Sequence, residues 1–209
     1  MTSVIVVVGG YGRAKLNTVE VIGDKECSIP ELPYLISEHP SVIITNDMEI
    51  LICGGHSIIR YDKKCLELKE GQWVFHSNMS QARIGHASIT MSNGTYILGS
   101  YRSQYTTEIL PSGSKFTTEF LPTGSKVWQE GPQIPHPGMA LGCVVKKSDY
   151  EMILIGGINL KKKIIQYNTK TNEWKTLGEL QIGRYGHACS VFDGKIFVVG
   201  GLRERSSFR

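Results

Sequence analysis

The chain has 209 residues, 41% hydrophobic and 20% charged, with 23 basic and 19 acidic side chains and a formal net charge of +4. That balance belongs to a folded globular chain, not a disordered one, and so mild an excess of scattered positive charge does not imply nucleic acid as a partner. No apolar run approaches the roughly 20 residues of a membrane-spanning helix, so membrane insertion is not expected.

The first element, VIVVVGG at 4–10, reads as a strand closed by a glycine pair. This is also how a dinucleotide-binding strand enters its phosphate loop. RAKLNTVEVI at 13–22 offers only a loop and a second strand where that fold needs a helix, so Gly9 and Gly10 are read as the end of a sheet strand. HPSVIITND (39–47) and EILICGG (49–55) form the next strand pair, and LELKEGQW (66–73) carries a third strand through a turn to Trp73. HASITMSN (86–93) and TYILGS (95–100) follow, joined at Asn93-Gly94 as a two-residue hairpin. TTEILPSGSKF (106–116) and TTEFLPTGSKV (117–127) are a tandem duplication of eleven residues that ends at Trp128. One copy is expected to supply a strand and the other an enlarged loop, with nothing in the residues to choose between them. GCVVKKSDY (142–150), MILIGG (152–157) and YNTKTNEW (167–174) complete a further unit, with Lys161-Lys162-Lys163 as a solvated loop. HACSVFD (187–193) and KIFVVGG (195–201) turn at Asp193-Gly194.

The first glycines fall at 9, 54, 99, 156 and 200, intervals of 45, 45, 57 and 44, and removing one copy of the duplication brings the long interval to 46. A period of this length marks a repeat architecture. Each unit reads strand, turn, strand, loop, strand, turn, strand. The glycine pairs, the Tyr167-Asn168…Trp174 element, and RIGH at 83–86 with RYGH at 184–187 resemble the kelch repeat. The resemblance implies an all-β, kelch-type β-propeller of four-stranded antiparallel blades, here incomplete at about four to four and a half blades. The single partial propeller over 1–209 divides into approximate blades 1–38, 39–82, 83–138, 139–183 and 184–209. With strands lettered a to d outward from the channel, the first blade starts at strand b and the last stops after strand b. Six blades of this period would need about 270–300 residues. The expectation is therefore a fragment, with a small ring or self-association through open blade edges as the alternatives.

Cys143 and Cys189 are read as equivalent small core residues of strand a. Cys53 and Cys65 stand on neighbouring strands b and c, as a disulfide or as free core thiols, while Cys27 falls where other blades carry tryptophan. The extra cysteines resemble secreted kelch-type domains. Asn78-Met79-Ser80 and Asn93-Gly94-Thr95 are candidate glycosylation sequons. Trp73, Trp128 and Trp174 are expected to pack blade on blade, and His39, His86 and His187 to bond turn backbone.

Some propellers of the resembled family are metal enzymes. A copper site cannot be assembled here, and Glu20 and Asp24 have the spacing of an iron site but end at Ser28 where a histidine is needed. No catalytic residue, metal or cofactor is therefore expected. The family resemblance implies a protein-interaction scaffold that binds a peptide or protein segment across the d–a and b–c loops. Arg83 and Arg184 are carried over as contacts for acidic groups. Tyr11, Arg13, His56, Arg60, Tyr101, Arg102, Asn159 and Arg203 are candidate neighbours on the b–c loops. Two settings remain open. One is an intracellular adaptor, the other an extracellular recognition or adhesion domain with disulfides and a signal peptide outside this stretch.

Overall fold

β-branched runs cut by glycine and turn residues leave nothing from which to build a helix. In the computed structural model, which describes residues 5–8, 16–22, 29–36, 40–57, 62–100, 118–135, 140–158 and 160–203, every named element is a strand. β1 (Ile5–Val8) pairs antiparallel with β2 (Val19–Ile22). The second sheet runs β3 (Ser41–Ile44), β4 (Ile50–Cys53), β5 (Lys64–Lys69) and β6 (Gln72–Asn78) in chain order. The third runs β7 (Ala87–Met91), β8 (Gly94–Leu98), β9 (Thr118–Pro122) and β10 (Gln129–Glu130). The fourth runs β11 (Cys143–Lys146), β12 (Glu151–Ile155), β13 (Lys163–Asn168) and β14 (Glu173–Glu179). Last come β15 (Arg184–Tyr185), β16 (Ala188–Phe192), β17 (Lys195–Val199) and β18 (Leu202–Arg203), with β16 paired to β17 and β15 to β18. Three complete antiparallel blades thus lie between two shorter ones, an incomplete propeller among the described residues.

The duplication resolves in favour of its second copy, since Thr118–Pro122 pairs with Gly94–Leu98. The first copy lies outside the described residues. The hairpins differ in detail from expectation. Asp193 (φ 49°) and Gly194 (φ 66°) make the two-residue turn anticipated there. In the third blade Met91 pairs with Gly94, so Ser92 and Asn93 form the turn and Gly94 belongs to the strand. Gly94 is needed there because a Cβ would run into the Leu121 carbonyl of the neighbouring strand.

The core lies in the seams between blades, because a sheet with two apolar faces must be covered on both. Ile52 and Leu66 pack against Leu32 and Ile36, and Ile43, Leu51 and Met79 against Ile97 and Leu121. Met91, Tyr96 and Leu98 meet Met152, Leu154, Ile165 and Tyr167 at the next seam, followed by Val145, Ile153 and Ile155 against Cys189 and Val198. Each tryptophan joins a seam. The Trp73 indole donates to the Pro30 carbonyl at 2.8 Å, and that of Trp128 to Ser77 Oγ at 3.0 Å. Trp174 lies on Tyr167 with ring centroids 4.7 Å apart.

Cys53 and Cys65 face each other across β4 and β5 and are joined. Cys143 and Cys189 are also joined, which corrects the reading of them as equivalent packing residues. Cys143 pairs with Ile155 just before Gly156, and the residue that pairs with Val199 just before Gly200 is Ala188. Cys189 is therefore offset by one position. Successive strand residues point to opposite faces, so the offset turns the two thiols toward each other across the seam.

Candidate interaction face

The d–a and b–c loops share one end of the blades, and their geometry begins with the glycine pairs. Gly54 (φ 69°) and Gly156 (φ 58°) adopt a left-handed backbone. A Cβ at Gly54 would lie 2.6 Å from the Arg83 carbonyl and 2.8 Å from His86 Cε1. At Gly156 it would lie 2.8 Å from the Arg184 carbonyl and 2.9 Å from His187 Cε1. The second glycine of each pair donates its N–H to the same arginine carbonyl, Gly55 to Arg83 at 2.8 Å and Gly157 to Arg184 at 2.9 Å. The glycine pair of one blade and the R-x-G-H of the next are thus two halves of one joint, and the motif recurs because the joint does.

The arginine side chains fold back over their own blades. Arg83 Nη1 donates to the Gly99 carbonyl at 2.8 Å, and Arg184 Nη1 to the Gly200 carbonyl at 2.8 Å. Arg83, which the sequence places on the loop face, is buried. Its Nε lies 2.9 Å from Glu119 Oε1, with both side chains only 2% exposed, and Glu119 Oε2 accepts the Ser80 N–H at 2.6 Å. The second blade has Ile36 and Leu66 at the two corresponding places, packed in one cluster. A charged pair in one blade therefore stands where another uses an apolar contact. Sequence reasoning missed Glu119, although the joint change of both positions between blades is a signal that could have found it.

Arg184 has no such carboxylate among the described residues, and its Nε is buried without a partner. It stands directly opposite Arg203 in the β15–β18 ladder, which sets two guanidinium-bearing residues side by side. Exposed Lys161 and Lys162 approach from the b–c loop of the preceding blade. The Lys161 carbonyl accepts the Arg184 N–H at 3.4 Å, and the Lys162 carbonyl accepts the Leu180 N–H at 2.7 Å. Exposed Ile182 (45%) and Leu202 (63%) lie beside the cationic residues in the same loops. Like charges facing across a ladder repel, so the two arginines oppose each other in this patch.

His56 is half-buried in the b–c connection of the second blade. Tyr11, Arg13, Arg60, Tyr101, Arg102 and Asn159 lie outside the described residues, as do Cys27 and His39. His187 donates toward the Ile155 carbonyl of the preceding blade at 3.1 Å. Burial, reinforced by the Arg184 charge, holds its pKa below the usual value, and the hydrogen bond to Ile155 only partly offsets this. Among the described residues no three His, Cys, Asp or Glu side chains are grouped to hold a metal.

Residues 183–209 match the family of the Kelch motif. A Kelch repeat-containing protein of Arabidopsis thaliana is 40% identical over 73 residues, covering 33% of this chain and 17% of that protein. Kelch-like protein 40 of Xenopus laevis is 22% identical over 194 residues, 86% of this chain and 30% of the relative. Kelch repeat and BTB domain-containing protein 12 of Danio rerio is 21% identical over 184 residues, 77% of this chain and 28% of the relative. The chain therefore spans less than a third of the length of these relatives.

Proposed function

Because the chain belongs to the kelch-repeat family, we propose that it works as a non-enzymatic interaction scaffold that docks an acidic segment on its loop face. The observation that carries this reading is the cross-strand pair Arg184 and Arg203 flanked by Lys162, with no carboxylate among the described residues to neutralise either arginine. A partner carboxylate would relieve the repulsion and gain charge-assisted hydrogen bonds of the bidentate kind that guanidinium offers. Ile182 and Leu202 would take an apolar neighbour of that acid, as at interfaces where a hydrophobic contact anchors a charged one. Arg83 enters this reading as a positioning residue: its pair with Glu119 holds the d–a loop of its blade.

The test is selection of displayed random peptides on the immobilised chain. Enriched peptides should carry Asp or Glu beside an apolar residue, and Lys162→Glu with Arg203→Glu should weaken them at least tenfold and lower their salt dependence. Enrichment of peptides without acids, or affinity unmoved by both reversals, would overturn the proposal.

A second reading concerns the setting. The bonds Cys53–Cys65 and Cys143–Cys189 favour an extracellular recognition domain over a cytosolic adaptor, because such bonds persist in oxidising compartments. Alkylation of the protein from its native source under denaturing, non-reducing conditions decides it, since four blocked thiols support this reading and four reactive ones sink it.

A further inference from the structure

We infer that Asn78 is an N-glycosylation acceptor and that Asn93, the other sequon asparagine, is not. Asn78 is the last residue of β6, and its side chain is exposed. Its amide meets no hydrogen-bond partner among the described residues. The backbone around it is fixed by Met79, which is 1% exposed and whose N–H donates to the Lys63 carbonyl at 2.8 Å. Ser80 is exposed and engages Glu119 only through its backbone N–H. A glycan on Asn78 therefore displaces nothing.

Asn93 is exposed as well, but its side chain and its turn are engaged. Its Nδ2 donates to Tyr96 Oη at 2.9 Å, and its carbonyl accepts the Thr123 N–H at 3.2 Å. Thr95, the hydroxyl residue of the sequon, is 2% exposed. The turn is also wedged between blades. Asn46 Nδ2 of the second blade donates to the Met91 carbonyl at 2.8 Å, while Ser92 Oγ donates to the Asp149 carbonyl of the fourth at 2.9 Å. A sugar on Asn93 Nδ2 would crowd the Tyr96 hydroxyl 2.9 Å away and the contacts that tie this turn to its two neighbours.

In the transfer, Asn78 Nδ2 bonds to the anomeric carbon of a lipid-diphosphate-linked oligosaccharide. The carbon–oxygen bond to the diphosphate breaks, and the amide proton leaves with the released lipid diphosphate. The inference rests on the extracellular reading, because disulfide formation and this transfer share one compartment.

The experiment secretes the full chain from cultured eukaryotic cells behind a cleavable signal and weighs it before and after peptide N-glycosidase. One glycan per chain is expected, lost in Asn78→Gln and in Ser80→Ala, kept in Ser80→Thr and Asn93→Gln. A wild-type chain without glycan, or a glycan that maps to Asn93, would overturn the assignment. The mass without reductant separates the two ideas: disulfides without a glycan sink the acceptor alone, whereas a glycan on a chain with free thiols sinks the oxidised setting alone.

Discussion

Arg83 and Glu119 lie 36 residues apart in sequence, yet Nε and Oε1 are 2.9 Å apart in a place almost closed to water. Removing one partner leaves the other charge buried alone, at a cost of about 3–5 kcal/mol. Glu119→Gln and Arg83→Met should therefore each lower the urea midpoint sharply. Ile36 and Leu66 show that the same two places can be filled by an apolar pair. The double change Arg83→Ile with Glu119→Leu should accordingly be more stable than either single change. It should not fully reach the wild type, because the Gly99 carbonyl and Ser80 N–H then lose partners, at about 1–3 kcal/mol for each that stays dry. A double variant as unstable as the sum of the singles would refute the equivalence of the two pairs. The recurrence of R-x-G-H was legible in the sequence. Its inward turn was not, because the carboxylate that draws Arg83 in lies inside a tandem duplication, on a strand whose copy the residues could not choose.

Strand pairs were the most legible elements, since β-branched runs and glycine pairs at a near-constant period name both strands and repeat. Their exact register was less so. Cys143 and Cys189 follow small residues in look-alike strings, and one position of offset decides whether their side chains share a direction or meet. The bond closes 46 residues, against 12 for Cys53–Cys65. In the chain-entropy view this is worth about 4 kcal/mol against about 3. More telling is what each bond ties. Cys53–Cys65 lies within one sheet, whereas Cys143–Cys189 links β11 to β16 across a seam. Cys143→Ala with Cys189→Ala should thus raise hydrogen exchange selectively in residues 188–199, while Cys53→Ala with Cys65→Ala should raise it in residues 50–69. Uniform acceleration across the chain in both variants would contradict the separate roles.

At the scale of the whole molecule, coupling between blades depends on titratable groups closed into the seams. His187 reaches the Ile155 carbonyl of the preceding blade, and His76 Nδ1 lies 2.7 Å from Ser77 Oγ, which accepts the Trp128 indole N–H from the following blade. Burial holds both histidines below their ordinary pKa, helped by Lys126 at His76 and by Arg184 at His187. The unfolded chain, with histidines near about 6.5, then binds protons first as pH falls. Stability is therefore fully present above about pH 6.5 and declines below it, by at most about 1.4 kcal/mol per pH unit for each histidine. The alkaline limit has the opposite sign. Burial pushes Tyr34, beside the Asp62 charge, and Tyr167 up to about 12, so the unfolded chain ionises first and stability falls between about pH 10 and 12. Urea midpoints measured from pH 5 to 8 at constant ionic strength should fall on the acid side. His76→Gln with His187→Gln should flatten that fall, since glutamine keeps a donor but cannot charge. An unchanged slope in the double variant would place the acid sensitivity in groups other than these two histidines and refute their role.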